Sequence, residues 1–303
     1  MIHEYHESKE NDLSIGYLGP PGSFCEEATI RLVRSGVVSG LSASSLIPGR
    51  TIRELITSVE NGSLPAAVVP IENSIEGSVS ETLDLLVRSE DLFIQCEITI
   101  PVSHNLLIWE SNRSRPVEEI LSHPQALAQC RNYILGRFPG VRERATTSTA
   151  EAAREVSSRK DSGPVAAAIG TLRAAELYGL SVIDTDIQDV QENETRFVLL
   201  AKSANTRSTG RDKTSIAFST MRDRPGALYS ILEEFAKRSL NLTKIESRPT
   251  KRMLGEYIFF VDCQGHKDDA DVADAIMGLR PKTSYLKILG SYPEWSKSKS
   301  LGQ

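Results

Sequence analysis

No apolar stretch in this sequence of 303 residues approaches the ~20 residues that a membrane-spanning helix needs. The segment from Met1 to Asp12 is polar and lacks the hydrophobic core of a secretion signal. Together these absences predict a cytoplasmic protein. Cysteine is scarce: Cys25, Cys96, Cys130 and Cys263 lie far apart without any paired spacing, which predicts buried reduced thiols and neither disulfides nor a zinc site. His3 and His6 stand in a segment, 1–13, that reads as a disordered tail, and no carboxylate or thiolate cluster elsewhere completes a metal site. No metal and no cofactor is expected. Basic charge is also missing, since the formal net charge is −5. No basic stripe interleaves with stacking aromatics, which argues against nucleic acid as a partner.

Hydrophobic residues at 40% and charged residues at 25% are ordinary globular usage, and the length allows two or three compact units. From Ser14 to about Lys202 short apolar runs such as Ile15 to Leu18, Ala66 to Val69, Val165 to Ile169 and Ser181 to Ile183 alternate with amphipathic stretches, an α/β pattern. The small polar residues from Ser203 to Asp212 carry no apolar period and read as a linker. Beyond it, strands are expected over Thr214 to Thr220, Leu242 to Ser247, Glu256 to Cys263 and Ser284 to Leu289. Helices are expected after Pro225-Gly226 and over Asp268 to Leu279. That order, βαββαβ, is ferredoxin-like.

Three helix starts carry a capping box: Ser23 with Glu26, Thr51 with Glu54, and Ser148 with Glu151. Such starts present unpaired N–H groups, and in α/β sheets they face ligands beyond the strand ends, so an anionic small molecule could sit at the first or third of them. Functional-group types also cluster at predicted strand ends. The segments are Gly19-Pro-Pro-Gly-Ser-Phe24, Pro70 to Ser78 around Asn73, Ser122 to Cys130, Thr146 to Ala153, and Asn193-Glu-Thr-Arg-Phe197.

That ordered set resembles the prephenate dehydratases from Ser14 to about Lys202. Arg224-Pro-Gly-Ala-Leu228 and Glu246-Ser-Arg-Pro249 resemble the ACT domain that follows in that family. The resemblance implies a periplasmic-binding-protein-like catalytic body over 14–202, with lobe one about 14–92 plus 185–202 and lobe two about 93–184. A linker at 203–212, an ACT domain at 213–292 and a tail at 293–303 would follow. Chain crossings between lobes are expected near Phe93 and Asp184. It further implies loss of carbon dioxide and a ring hydroxyl from prephenate to give phenylpyruvate, with no covalent nucleophile, metal or redox group required. By analogy Thr195 assists the departing hydroxyl. Asn73, Ser122 and Gln129 orient the substrate, Arg196 meets a carboxylate or braces the loop, and Ser23, Ser74, Thr147 and Ser148 serve as further binding groups. His123 is expected to be structural.

The ACT resemblance implies phenylalanine as an effector, bound in the seam of a homodimer or homotetramer. Gly226, Ala227 and Leu228 would approach it closely, Asn241 and Leu242 would meet its polar end, and Glu246, Ser247, Arg248 and Pro249 would shape the pocket. Two departures from the family pattern stand out, Cys25 in place of a hydroxyl residue and Tyr229 in place of an aliphatic one. Arogenate, the aminated analogue, is a rival substrate, and a silent amino-acid sensor a rival role. No fused chorismate mutase is expected, since only thirteen residues precede Ser14.

Overall fold

A computed structural model describes residues 14–37, 45–159, 163–204, 207–222, 224–250 and 255–295. The expected N-terminal tail, two residues of the expected linker and most of the expected C-terminal tail lie outside them. Two compact units emerge. Of the described residues, unit one takes those within Met1–Leu55, Val68–Ser78 and Thr99–Phe197, and unit two those within Ile56–Ala67, Val79–Ile98 and Val198–Gln303.

In chain order the first elements are β1 (Ser14–Leu18), α1 (Phe24–Arg34), β2 (Ser45–Gly49), α2 (Ile52–Glu60), β3 (Ala66–Asn73), β4 (Gly77–Ser78), α3 (Ser80–Arg88) and β5 (Phe93–Pro101). There follow β6 (Asn105–Ile108), β7 (Glu119–Ser122), α4 (Pro124–Gln129), α5 (Arg131–Arg137), β8 (Arg142–Ala145), α6 (Thr149–Arg159), β9 (Ala166–Gly170), α7 (Leu172–Tyr178), β10 (Ser181–Asp184) and β11 (Glu194–Ala201). One sheet has the order β2-β1-β3-β11-β5, with β4 pairing β3, and a second has the order β10-β6-β9-β7-β8. This is the mixed α/β architecture that the sequence predicts. The first crossing between sheets, expected near Phe93, falls instead between Pro101 and Asn105, because β5 belongs to the first sheet. An alternating run such as Phe93-Ile-Gln-Cys-Glu-Ile-Thr-Ile100 fits a strand of either sheet, so periodicity alone does not assign it.

The second sheet shows why its strands form. β9 reads Ala-Ala-Ala-Ile-Gly and is buried throughout, as befits a strand covered on both faces. Ala166 and Ala168 pack with Val156, Ala174 and Leu180, while Ala167 and Ile169 pack with Leu127, Cys130 and Ile134. All three predicted caps are made. Glu26 N donates to Ser23 Oγ at 3.2 Å, Glu54 N to Thr51 Oγ1 at 3.0 Å and Glu151 N to Ser148 Oγ at 3.0 Å. The reciprocal half of the box differs, since Glu26 and Glu54 take the N–H of the residue before the cap, Gly22 and Arg50, while Glu151 turns to Arg154.

Within unit two, β12 (Asp212–Thr220), α8 (Ala227–Ala236), β13 (Leu242–Pro249), β14 (Tyr257–Gln264), α9 (Ala270–Leu279) and β15 (Thr283–Pro293) form the expected βαββαβ order. The sheet is antiparallel, β13-β14-β12-β15. Ile216, Phe218, Val261 and Cys263 on one face meet Ile231, Phe235, Val272 and Ile276 of the two helices. On β15, Gly290 lies so near Ile94 that a Cβ would stand 2.3 Å from the Ile94 carbonyl oxygen, so no side chain fits there. Lys213 Nζ pairs with the buried Glu97 at 2.8 Å. Helix α3 is gripped at both ends: Arg248 donates to Ser80 O at 2.9 Å and faces Asp84 at 3.5 Å, while Tyr285 OH donates to Val87 O at 3.0 Å and Lys287 Nζ to Leu86 O at 2.7 Å. A lysine at a helix C-terminus satisfies carbonyls that have no intrahelical partner.

Candidate active site

β3 ends at Asn73, whose Oδ1 accepts from Ile75 N at 2.9 Å and Glu76 N at 3.0 Å. Side-chain capping of this kind is what Asn does at a turn. It also fixes the amide, because with Oδ1 committed as an acceptor, Nδ2 must face the other way as a donor. Nδ2 reaches Asn193 Oδ1 at 2.8 Å, Thr195 Oγ1 at 2.8 Å and Glu194 O at 3.2 Å. Ser74 ties the same two segments, accepting from Glu194 N on Oγ at 2.9 Å and donating its backbone N–H to Glu194 O. Thr195 thus receives a hydrogen bond from Asn73, which leaves its own proton free to point at a bound molecule.

The network continues into the second sheet's helices. Gln129, the last residue of α4, accepts on Oε1 from Asn193 Nδ2 at 3.2 Å and lies 2.9 Å from His104 Nε2. His104 is 3% exposed. Burial pushes its imidazole below the usual histidine value, outweighing the opposing hydrogen bond to Gln129, so it is neutral near pH 7. The Phe24 ring meets it edge-on at 5.7 Å. Thr171 Oγ1 donates to Gly22 O at 2.7 Å and Tyr178 OH to Pro21 O at 3.0 Å, and a Cβ on Gly22 would meet Ala174 at 3.1 Å with φ at +89°. The glycine-proline turn therefore presses its bare backbone on α7.

Asn73, Ser74, Gln129 and Thr195 lie in one hydrogen-bond network, which also includes His104 and Asn193. Other expected residues are spent elsewhere. Ser122 is fully buried and its hydroxyl donates to Ile169 O at 2.7 Å, joining β7 to β9. Ser23 donates to Leu18 O at 2.9 Å while capping α1, Ser148 caps α6, and Thr147 is exposed. Arg196 follows Thr195 on a pleated strand and so points to the opposite face. There it pairs with Glu72 at 3.3 Å, the bracing role. His123 accepts from Gln125 N on Nδ1 at 3.3 Å, a helix cap. A hollow lined by Ile75, Glu76, Gln125, Gln129, Asp189 and Asn193 opens beside the network. Its lining includes neither Asn73 nor Thr195, and its two carboxylates repel a dianion.

In the C-terminal domain Gly226 has φ +79° and precedes α8, a backbone conformation that glycine adopts without strain. Gly226, Ala227 and Leu228 line one groove with Arg248 and Pro249. Asn241 precedes β13, Leu242 starts it and Pro249 ends it, which at the usual rise separates the strand's two ends by about 23 Å. Glu246 faces Lys244 at 3.3 Å, and Ser247 is exposed. One chain therefore does not gather the nine expected effector residues into one pocket.

The family model described as prephenate dehydratase matches residues 15–205, and the model described as ACT domain matches 214–280. The chain belongs to the prephenate dehydratase family. It is 40% identical over 278 residues to the prephenate dehydratase of Methanocaldococcus jannaschii, covering 91% of this chain and 97% of that one. The crystal structure of a prephenate dehydratase from Arthrobacter aurescens in complex with L-Phe superposes with a TM-score of 0.81 at 36% identity, over 93% of this chain and 90% of that one. GqqA, described as a novel type of quorum quenching acylase, superposes at 0.80 with 29% identity, over 93% and 98%.

Against the pattern of prephenate dehydratases, Cys25 is the departure the structure accounts for. Its thiol accepts from Leu18 N and donates to Val68 O, both at 3.3 Å, so sulfur keeps at longer reach the bonds a hydroxyl could make. Burial pushes the thiols of Cys25, Cys130 and Cys263 up to about 12, and that of Cys96 higher still. All four are buried. Since thiolate is the reactive form, native protein is expected to release no colour from an aromatic disulfide reagent at pH 8 and to titrate four thiols in denaturant. Rapid reaction of any thiol in the native state would contradict the burial.

Proposed function

We propose that the chain converts prephenate to phenylpyruvate in the cytosol, on the way to L-phenylalanine, and that phenylalanine at the ACT domain lowers this activity. The observation that carries the catalytic half is the hydrogen bond from Asn73 Nδ2 to Thr195 Oγ1. As the ring carboxylate leaves as carbon dioxide, the electron pair of the broken C–C bond enters the ring and expels the hydroxyl on the opposite carbon. That hydroxyl departs as water on gaining a proton. Thr195, already holding an amide donor on its oxygen, supplies the hydrogen bond or proton at that oxygen. A threonine hydroxyl is a very weak acid, so the transfer is concerted with bond breaking. Aromatisation of the ring provides the driving force.

Membership of the prephenate dehydratase family and the L-Phe bound to the Arthrobacter relative support this reading. For regulation, the groove of Gly226 to Leu228 and the start of β13 are complementary halves, so a second copy would complete each effector site in a dimer seam. Purified protein is expected to release phenylpyruvate from prephenate, and added phenylalanine to reduce the rate. Arogenate, assayed in parallel for phenylalanine release, tests the rival substrate, and an N-acyl amide tests the activity named for GqqA. No product from prephenate would sink the catalytic reading. An unchanged rate with phenylalanine would sink the regulatory one.

A further inference from the structure

The hydrogen bonds around Thr195 form a chain of fixed direction, and its direction is set by the backbone. Ile75 N and Glu76 N can only donate, so Asn73 Oδ1 accepts from both. Asn73 Nδ2 then donates to Thr195 Oγ1 and to Asn193 Oδ1. With its oxygen filled, Asn193 turns Nδ2 toward Gln129 and donates to Oε1. Gln129 Oε1 is therefore an acceptor toward its other neighbour, His104 Nε2, 2.9 Å away. An acceptor there demands a proton on Nε2. Every side chain between the Ile75 amide and the imidazole has one allowed orientation, and the imidazole has one allowed tautomer.

Two further atoms bear on this. His104 Nδ1 and Gln129 Nε2 are both buried without a hydrogen-bond partner. A buried amide left free to flip would exchange its two ends to satisfy whichever neighbour it could. Gln129 does not, because flipping would set Nε2 against the Nδ2 donor of Asn193. The His104 N–H holds the same oxygen from the other side. His104 itself is anchored by backbone bonds to the same loop, its N–H donating to Gln188 Oε1 and its carbonyl accepting from Ile187 N, each at 2.9 Å.

We propose that His104 is a positioning residue of the prephenate reaction: as the neutral Nε2–H tautomer it locks the Gln129 carboxamide, and through Asn193 and Asn73 keeps the Thr195 hydroxyl free to donate. It touches neither substrate nor the reacting atoms and transfers no proton. The inference rests on the reading of Thr195 as the donor. The tautomer, however, is a property of the protein without substrate, so it is tested separately.

In protein labelled with 15N histidine, the imidazole signal that disappears in His104→Gln is expected to report a protonated Nε2 and a bare Nδ1 at neutral pH. The opposite tautomer overturns the proposal whether or not the enzyme turns over prephenate. Kinetics give the second arm. His104→Leu removes the donor and is expected to lower kcat by up to roughly 10²-fold, the cost of a misplaced group, with KM changed less than threefold on the order-of-magnitude scale of uniform binding. His104→Gln, whose amide can return an N–H to about the place of Nε2, is expected to recover most of that loss. Equal kcat in His104→Leu and wild type overturns the proposal. So does a His104→Gln variant that folds, by its circular dichroism, yet stays as slow as His104→Leu. If wild-type protein itself does not act on prephenate, the function reading fails while the tautomer result stands alone.

Discussion

Thr195→Val is expected to bind substrate with nearly unchanged KM and to lose on the order of 10² or more in kcat, the low end of what a positioned acid contributes. Valine matches threonine in shape, so the strand is undisturbed. Asn73 Nδ2 loses one acceptor but keeps Asn193 Oδ1 and Glu194 O, enough for its two hydrogens, so little destabilisation accompanies the change. Loss of kcat without loss of KM is the signature of an interaction made in the transition state. Steady-state kinetics on prephenate check it, and full activity in the variant would place the donor elsewhere.

The largest effect on stability is expected at Lys213. Its ammonium meets the Glu97 carboxylate at 2.8 Å, with the two side chains 11% and 3% exposed. Glu97 Oε1 also accepts from Trp295 N at 3.2 Å. Replacing Lys213 by methionine keeps the stem's packing and takes the ammonium counter-charge from the carboxylate, and removing one partner of a buried pair costs about 3 to 5 kcal/mol. Adding Glu97→Gln is expected to return most of that loss, because the neutral amide no longer needs a counter-charge. Urea unfolding of the single and double variants measures both, and a single variant with an unchanged midpoint would show that the pair is not coupled to folding.

How far the sequence could be read follows from the range of each signal. The caps at Ser23, Thr51 and Ser148 are local, and all three form. The βαββαβ order was legible because each of its elements carries its own period. The juxtaposition of Asn73 with Thr195 came only through the family resemblance, since nothing local in either segment points to the other. His104 escaped for the same reason. Its partner Gln129 and the Asn193 beyond lie on separate segments, and the direction of the chain originates in backbone N–H groups at Ile75 and Glu76. Arg196 is different, for the pleat of a strand already sets adjacent residues on opposite faces, so its separation from Thr195 was there to be read. Ser122 is expected to orient the substrate only through the family resemblance, and its hydroxyl donates to Ile169 O inside the sheet. Its use inside the sheet depends on β9 lying beside β7, which no local pattern announces.

Arg248 holds a consequence for how such an enzyme can change over generations. It stands within the motif proposed to shape the effector pocket, and its guanidinium is already engaged by Ser80 O and Asp84 on α3. Any ligand that draws on this guanidinium must bargain with those two acceptors, so affinity for the effector and the hold on α3 become reciprocal quantities. If Arg248 serves the proposed effector site, a substitution at Asp84 that loosens the guanidinium would sharpen effector binding and slacken the helix together. Under the proposed regulation, sensitivity to the effector and the hold on α3 would be inherited as one trait, and selection acting on either would move both.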